Sequence, residues 1–186
     1  ALDETSIYWL APPRLSWKPK GGGSAVTMST SVVQTGMPRL VVREGYAYWL
    51  SGSAVSRVAT STAVPVEPAS VPLGQGLVRD FGIDGTGIYF TAWNDANLGS
   101  LTLLTWSGNT TTLLDTGAAG PGPIVLDGTN AYWRDSKNIR EVPKAGGETK
   151  ALAAVSSHDV SSERPIAVDD SYVFYADENK LMRVAK

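Results

Sequence analysis

An apolar residue followed by a pair of aromatics, or a near variant, recurs five times along the chain, as "IYW", "AYW", "IYF", "AYW" and "VFY". The second aromatics are Trp9, Trp49, Phe90, Trp133 and Tyr175, at intervals of 40, 41, 43 and 42 residues. So even a period marks one supersecondary unit stacked on copies of itself, because a unit of that length cannot bury its apolar face alone.

Other features keep the same step. Upstream of each pair an apolar run passes into an acidic or turn residue: "ALDETS", "LVVREGY", "FGIDGTG", "IVLDGTN" and "IAVDDSY". Asp84-Gly85 and Asp127-Gly128 predict type I′ hairpins, in which both central residues take positive φ. Downstream lies a third strand, "RLSWKPK", "AVSRVAT", "SLTLLTW", "NIREVPK" or "KLMRVAK". Small turn residues and a fourth strand follow in four of the units, as "SAVTMST", "VPVEPAS", "TTTLLDT" and "TKALAAV".

Four antiparallel strands per period of about 40–45 residues are the signature of a propeller blade. The expected fold is all-β, a β-propeller of four-stranded antiparallel blades. Its blades fall at about 1–38, 39–78, 79–122, 123–164 and 165–186 of a single domain. This makes a five-bladed propeller whose last blade lacks its outer strand, or a five-blade part of a larger ring. Ile7 and Trp9 share one face of their strand, as do Ala131 and Trp133. Those faces are expected to stack on neighbouring blades and bury all five second aromatics, ligand stacking being the alternative role. The one helical alternative is a short helix over "GETKALAAVSS".

Hydrophobic residues make up 42% of the 186, enough to build a core. Charged residues are 18% and the net charge is −2, so no field draws nucleic acid or an anionic membrane to the chain. "RLSWKPK", with Arg14, Lys18 and Lys20 around Trp17, reads as a solvated strand rather than a nucleic-acid patch. No apolar run approaches the roughly 20 residues of a membrane span. With no cysteine there is no disulfide framework and no thiolate metal site.

The aromatic pairs "IYWL", "AYWL", "IYFT", "AYWR" and "VFYA", with "LMRVAK" and "REVPKAGG" downstream, resemble the YWTD-type repeats of lipoprotein-receptor propellers. They are more similar still to bacterial relatives whose repeats read "VD-YVYW-D-LMRVPK-GG". The resemblance covers nearly the whole chain and implies a secreted or cell-surface protein, extracellular and bacterial. The Thr-Asp of the receptor repeats is replaced by Leu10-Ala11, Leu50-Ser51, Thr91-Ala92, Arg134-Asp135 and Ala176-Asp177. Receptor rings have six blades.

Propeller ligands usually sit on the face made by the second-to-third loops and the between-blade loops. The longest second-to-third loop here, 91–100, offers Trp93, Asn94, Asp95 and Asn97, an aromatic plate beside planar polar groups that suits a sugar. As a calcium loop it fails, because Trp106 stands where a closing glutamate is needed. Arg39, Arg79 and Arg164 precede first strands at related positions and could hold a carboxylate or phosphate at the channel mouth. Arg134, Asp135 and Asp177 complete the candidate ligand-binding set. His158 is the only histidine, which excludes a histidine-based metal centre, and no G-x-S-x-G elbow accompanies it. Asp84, Asp127 and Asp169 coincide with turns, where an aspartate bonds nearby backbone N–H groups. No cofactor or metal is implied.

The reading that follows is a non-catalytic scaffold that binds a protein or assembles with itself. The alternatives are a lectin-like propeller using Trp93 and a propeller glycoside hydrolase or lyase using carboxylates such as Asp95, Asp135 and Asp177. "ALDETS" is read as the end of the first blade's first strand. The last blade then leaves an open strand edge at Leu181, Met182, Arg183 and Val184, either for assembly by strand addition or, in the alternative reading, blunted by the charges of Lys180, Arg183 and Lys186. Proline at Met182 tests that edge if the Met182 N–H points outward.

Overall fold

Short runs of aromatic and β-branched residues, cut every few positions by Gly, Pro, Asp or Ser, pair locally into antiparallel hairpins. In the computed structural model of the chain, all residues are described except 31, 33–38, 62–68, 74–76, 94–98, 108–109, 116–119 and 157–164. The described residues form five antiparallel sheets, each a meander in chain order. The chain divides into two compact units, Ala1–Gln75 and Gly76–Lys186.

The first unit holds two sheets. One is β1 (Ser6–Ala11), β2 (Arg14–Pro19) and β3 (Val26–Ser29). The other is β4 (Leu40–Arg43), β5 (Tyr46–Ser51), β6 (Ala54–Ala59) and β7 (Ala69–Pro72). Tyr8, Leu15 and Met28 of the first sheet pack on Ala47, Trp49 and Val58 of the second. Tyr8 is 3% exposed and Trp49 is fully buried.

The second unit holds three sheets. They are β8 (Leu77–Ile83), β9 (Gly87–Trp93), β10 (Gly99–Thr105) and β11 (Thr110–Asp115); then β12 (Ile124–Leu126), β13 (Asn130–Arg134), β14 (Asn138–Pro143) and β15 (Lys150–Ala154); then β16 (Ile166–Val168), β17 (Tyr172–Asp177) and β18 (Lys180–Ala185). Tyr89, Leu101 and Leu103 of the third sheet meet Ile124, Ala131, Trp133 and Val142 of the fourth. Tyr132 and Ile139 of the fourth meet Ile166, Val173 and Tyr175 of the fifth. One rule covers all three interfaces: the first aromatic of one sheet lies against the second aromatic of the next. Strand alternation makes this possible, since adjacent residues of a strand face opposite ways.

Several expectations need correction. "GETKALAAVSS" contributes the strand β15, not a helix; Gly146 and Gly147, both at positive φ, turn the chain back along β14. Of the fourth strand expected over "VPVEPAS", residues 64–68 lie outside the described residues, and the described part of that strand runs over Ala69–Pro72. "ALDETS" forms no first strand, only an isolated bridge between Leu2 and Ile7 with the Ala1 and Tyr8 backbones bonded to each other.

Trp9 is 37% exposed and Ile7 47%, whereas the other four second aromatics are at most 5% exposed. Within its unit the first sheet has one neighbour, which covers the Tyr8 face. Finally, neither Asp84-Gly85 nor Asp127-Gly128 takes positive φ. The type I′ geometry appears instead at Glu44-Gly45, with φ of 49° and 79°.

Candidate functional site

The turn that leads into the aromatic strand of each repeat concentrates polar groups, and one device recurs there. Asp3, Asp84, Asp127 and Asp169 each donate their backbone N–H to the carbonyl three residues on. Each turns Oδ1 back to accept the N–H groups two and three residues ahead, at 2.7–3.3 Å. This carboxylate cap replaces the positive-φ turn. Arg43 stands at the corresponding place in the second sheet, and there the chain uses the type I′ turn at Glu44-Gly45.

The second oxygen, Oδ2, takes side-chain partners at Asp3, Asp84 and Asp127. Tyr8 donates its hydroxyl to Asp3 Oδ2 at 2.7 Å, and Tyr132 donates to Asp127 Oδ2 at 2.8 Å. A lysine from the following sheet then completes the junction. Lys144 Nζ lies 2.7 Å from Asp84 Oδ2 and Lys186 Nζ 2.7 Å from Asp127 Oδ2. The same ammonium groups sit 5.9 Å from the Tyr89 ring and 5.6 Å from the Tyr132 ring, within cation–π range. Lys144 also bonds the Asp127 carbonyl of its own sheet, as Lys20 does the Asp3 carbonyl. These lysines occupy one structural position. The backbone N–H of Lys20, Thr60, Trp106, Lys144 and Lys186 donates in turn to the carbonyl of Thr5, Gly45, Thr86, Thr129 and Ser171.

Asp127 shows the electrostatics. Burial pushes its carboxyl up, but the Lys186 ammonium, the Asn130 and Thr129 N–H groups and the Tyr132 hydroxyl outweigh it. The result lies well below the usual carboxylate range. Tyr132 is pushed up to about 12, by burial first and then by the Asp127 charge, against the Asn130 amide. A depressed carboxylate contributes stability that is complete above its unfolded value, near about 4, and is lost as pH falls below it. Asp127→Asn is therefore expected to flatten the acid limb. Between about pH 4 and pH 2 the parent's melting temperature should fall more steeply than the variant's. Parallel melting curves over that window would exclude this role.

At the other end of these strands the structure joins two of the sequence candidates, Arg134 and Asp177, and gives Asp135 partners within its own sheet. Arg134, 4% exposed at the end of β13, donates to the Ala176 carbonyl at 2.6 Å and lies 3.6 Å from Asp177 Oδ1. Asp177 Oδ2 accepts the Ser156 hydroxyl at 2.6 Å and the Ser156 N–H at 2.9 Å. Asp135, 1% exposed, caps the Lys137 and Asn138 N–H groups with Oδ1 and pairs with Arg140 through Oδ2. The arrangement clasps the fourth sheet to the fifth.

Trp93 ends β9 partly exposed, and Arg39 and Arg79 are partly buried. Asn94, Asp95, Asn97, His158 and Arg164 lie outside the described residues. Among the described residues no group of three or more His, Cys, Asp or Glu could hold a metal, and no helix is long and apolar enough to cross a membrane.

Sequence reasoning missed the Asp–Tyr–Lys junctions. The signal was the recurrence of lysine 17 residues after the aspartate, as in Asp3 and Lys20 or Asp127 and Lys144.

No protein-family model matches the chain, and no curated protein does. Solved structures do match. A nidogen/laminin complex gives a TM-score of 0.72 at 14% identity, over 94% of this chain and 68% of that one. A streptogramin B lyase gives 0.72 at 14% identity, over 98% of this chain and 63% of that one. PorZ is a bacterial surface component of the type-IX secretion system of Porphyromonas gingivalis. It gives 0.66 at 15% identity, over 97% of this chain and 24% of PorZ. The chain thus spans about two thirds of the first two proteins and about a quarter of the third. At such identities the likeness carries the fold alone. The chain has the all-β fold of a β-propeller.

Proposed function

We propose that the chain is a non-catalytic propeller scaffold, secreted or on a bacterial cell surface, that takes up a protein strand along β18. The observation that carries this reading is the edge itself. In the fifth sheet the strand order is β16-β17-β18, so β18 is outermost among the described residues. Lys186 donates its N–H to the Ser171 carbonyl of the β17 side. The alternation of an antiparallel ladder then turns the N–H groups of Val184, Met182 and Lys180 inward. Those of Leu181, Arg183 and Ala185 turn outward. Leu181 is 79% exposed and Met182 40%. An extended edge with apolar side chains is a template for strand addition. A nidogen/laminin complex and a surface component among the similar structures support a scaffold at the cell exterior.

The register corrects the test suggested by sequence, because the Met182 N–H serves the β17 ladder. Proline at Arg183 removes an outward donor and leaves that ladder whole. Arg183→Pro is expected to abolish self-association or partner binding in sedimentation velocity with little change in melting temperature. Met182→Pro should lower the melting temperature itself. A parent protein that stays monomeric and captures no partner strand would remove the proposal.

Carbohydrate binding at Trp93 is the second reading, favoured by the partial exposure of that indole at the end of β9. A glycan array separates the two. Hydrolase or lyase activity, the third, draws on the lyase among the similar structures.

A further inference from the structure

The Asp–Tyr–Lys junction is complete at Asp127, Tyr132 and Lys186. At Asp84 the lysine is present but the buried Tyr89 hydroxyl has no hydrogen-bond partner among the described residues, and at Asp3 in the first unit the tyrosine is present without the lysine. Asp3 Oδ1 caps its turn, and Oδ2 accepts the Tyr8 hydroxyl at 2.7 Å, as at Asp127. The position that supplies lysine elsewhere is Thr60, held by the same backbone bond. Threonine brings a hydroxyl, which lies beside the Tyr8 phenol, and no charge. Among the described residues no cation pairs with the Asp3 carboxylate. Lys20, the nearest lysine in its own sheet, is spent on the Asp3 and Glu4 carbonyls.

A cavity of about 410 Å³ opens at this place, lined by Asp3, Tyr8, Trp17, Pro19, Thr60 and Ser61. Tyr8 and Trp17 stack at 6.4 Å between ring centroids, with 28° between their planes. A cleft of about 540 Å³ occupies the equivalent place between the third and fourth sheets, and there the wall includes Lys144 beside Tyr89. The scaffold thus keeps the carboxylate and the aromatic surface of an ammonium site in the first unit and omits the ammonium.

We propose that this cavity binds an alkylammonium ion supplied from outside, as a free primary amine or as a lysine side chain of another molecule. The ammonium would sit where Lys144 and Lys186 place theirs, bonded to Asp3 Oδ2 and over the Tyr8 ring. Its alkyl chain would lie along Trp17 and Pro19. A carboxylate gives the directional, charge-assisted bond, and the rings give the cation–π surface. Asp3 is partly solvent-accessible, so a ligand can reach it.

Calorimetric titration of the full chain with n-butylammonium, n-butanol and Nα-acetyl-lysine N-methylamide tests this. Butylammonium should bind and butanol should not. Asp3→Asn keeps an oxygen for the turn and should weaken binding about tenfold or more, the worth of one charge-assisted bond. Thr60→Lys should complete the junction internally, raise the melting temperature and abolish amine binding. It also guards against a folding defect in the Asp3 variant. Tighter binding of the lysine derivative identifies a lysine side chain as the source, and tighter binding of butylammonium identifies a free amine; both uphold the site. Undetectable binding of both amines, equal binding of butanol, or unchanged binding in Thr60→Lys overturns it.

Discussion

Replacing Trp133 by alanine is expected to remove about 3–5 kcal/mol of stability, the range for deleting a large buried aromatic. Trp133 is fully buried and packs with Tyr89, Leu101, Ile124 and Val142 at the interface of the third and fourth sheets. Both sheets would lose contacts and neither could close the void alone. At roughly 2–4 °C per kcal/mol for a chain of this size, the melting temperature should drop by about 10 °C. Trp9 occupies the same repeat position but is 37% exposed, so Trp9→Ala should cost less than about 1 kcal/mol. The Trp133 Nε1 is buried without a hydrogen-bond partner among the described residues. Trp133→Phe, which deletes that uncompensated N–H, should therefore cost much less than alanine. Urea melts of the three variants decide this, and equal losses for Trp9→Ala and Trp133→Ala would refute the packing rule.

Arg134→Ala is expected to cost about 3 kcal/mol. Arg134 and Asp177 side chains are only 4% and 12% exposed, so removing the guanidinium strands a largely buried carboxylate. It also removes the donor to the Ala176 carbonyl. Ser156 still bonds Asp177 in the variant, which keeps the loss at the lower end of the range for broken buried pairs. Arg134→Lys should recover less than half, because one ammonium cannot span the carbonyl and the carboxylate as the two guanidinium nitrogens do. A double-mutant cycle with Asp177→Asn isolates the pair. An Arg134→Ala protein that melts like the parent would show that the clasp contributes nothing.

The repeat was legible because strand pairing is local. Each hairpin joins residues within one period, so the spacing of Trp49, Phe90, Trp133 and Tyr175 and the turn residues between them locate most strands directly. The exposure of Trp9 was not legible, since alternation assigns a residue to a face without saying whether another sheet covers that face. Arg134 and Asp135 read as loop residues because charge suggests solvent. The structure buries both by giving each a partner, Asp177 and Arg140. The turns misled for a related reason. Asp-Gly signals a type I′ hairpin only when the aspartate backbone makes the turn, and here its carboxylate does.

Lys144 and Lys186 have a consequence for how such a chain can change length. Among the described residues every hydrogen-bonded ladder closes within one repeat, as the second sheet does between Leu40 and Pro72. The lysine bonds instead cross from one repeat to the one before, over 60 residues for Lys144 and Asp84 and 59 for Lys186 and Asp127. A whole repeat gained or lost by duplication would leave each ladder intact and merely reassign which lysine meets which aspartate. Since the turn and the lysine position travel together in one repeat, a copied unit carries both halves of the join. The grammar of the chain is therefore written one repeat at a time, and its punctuation is read across the boundary.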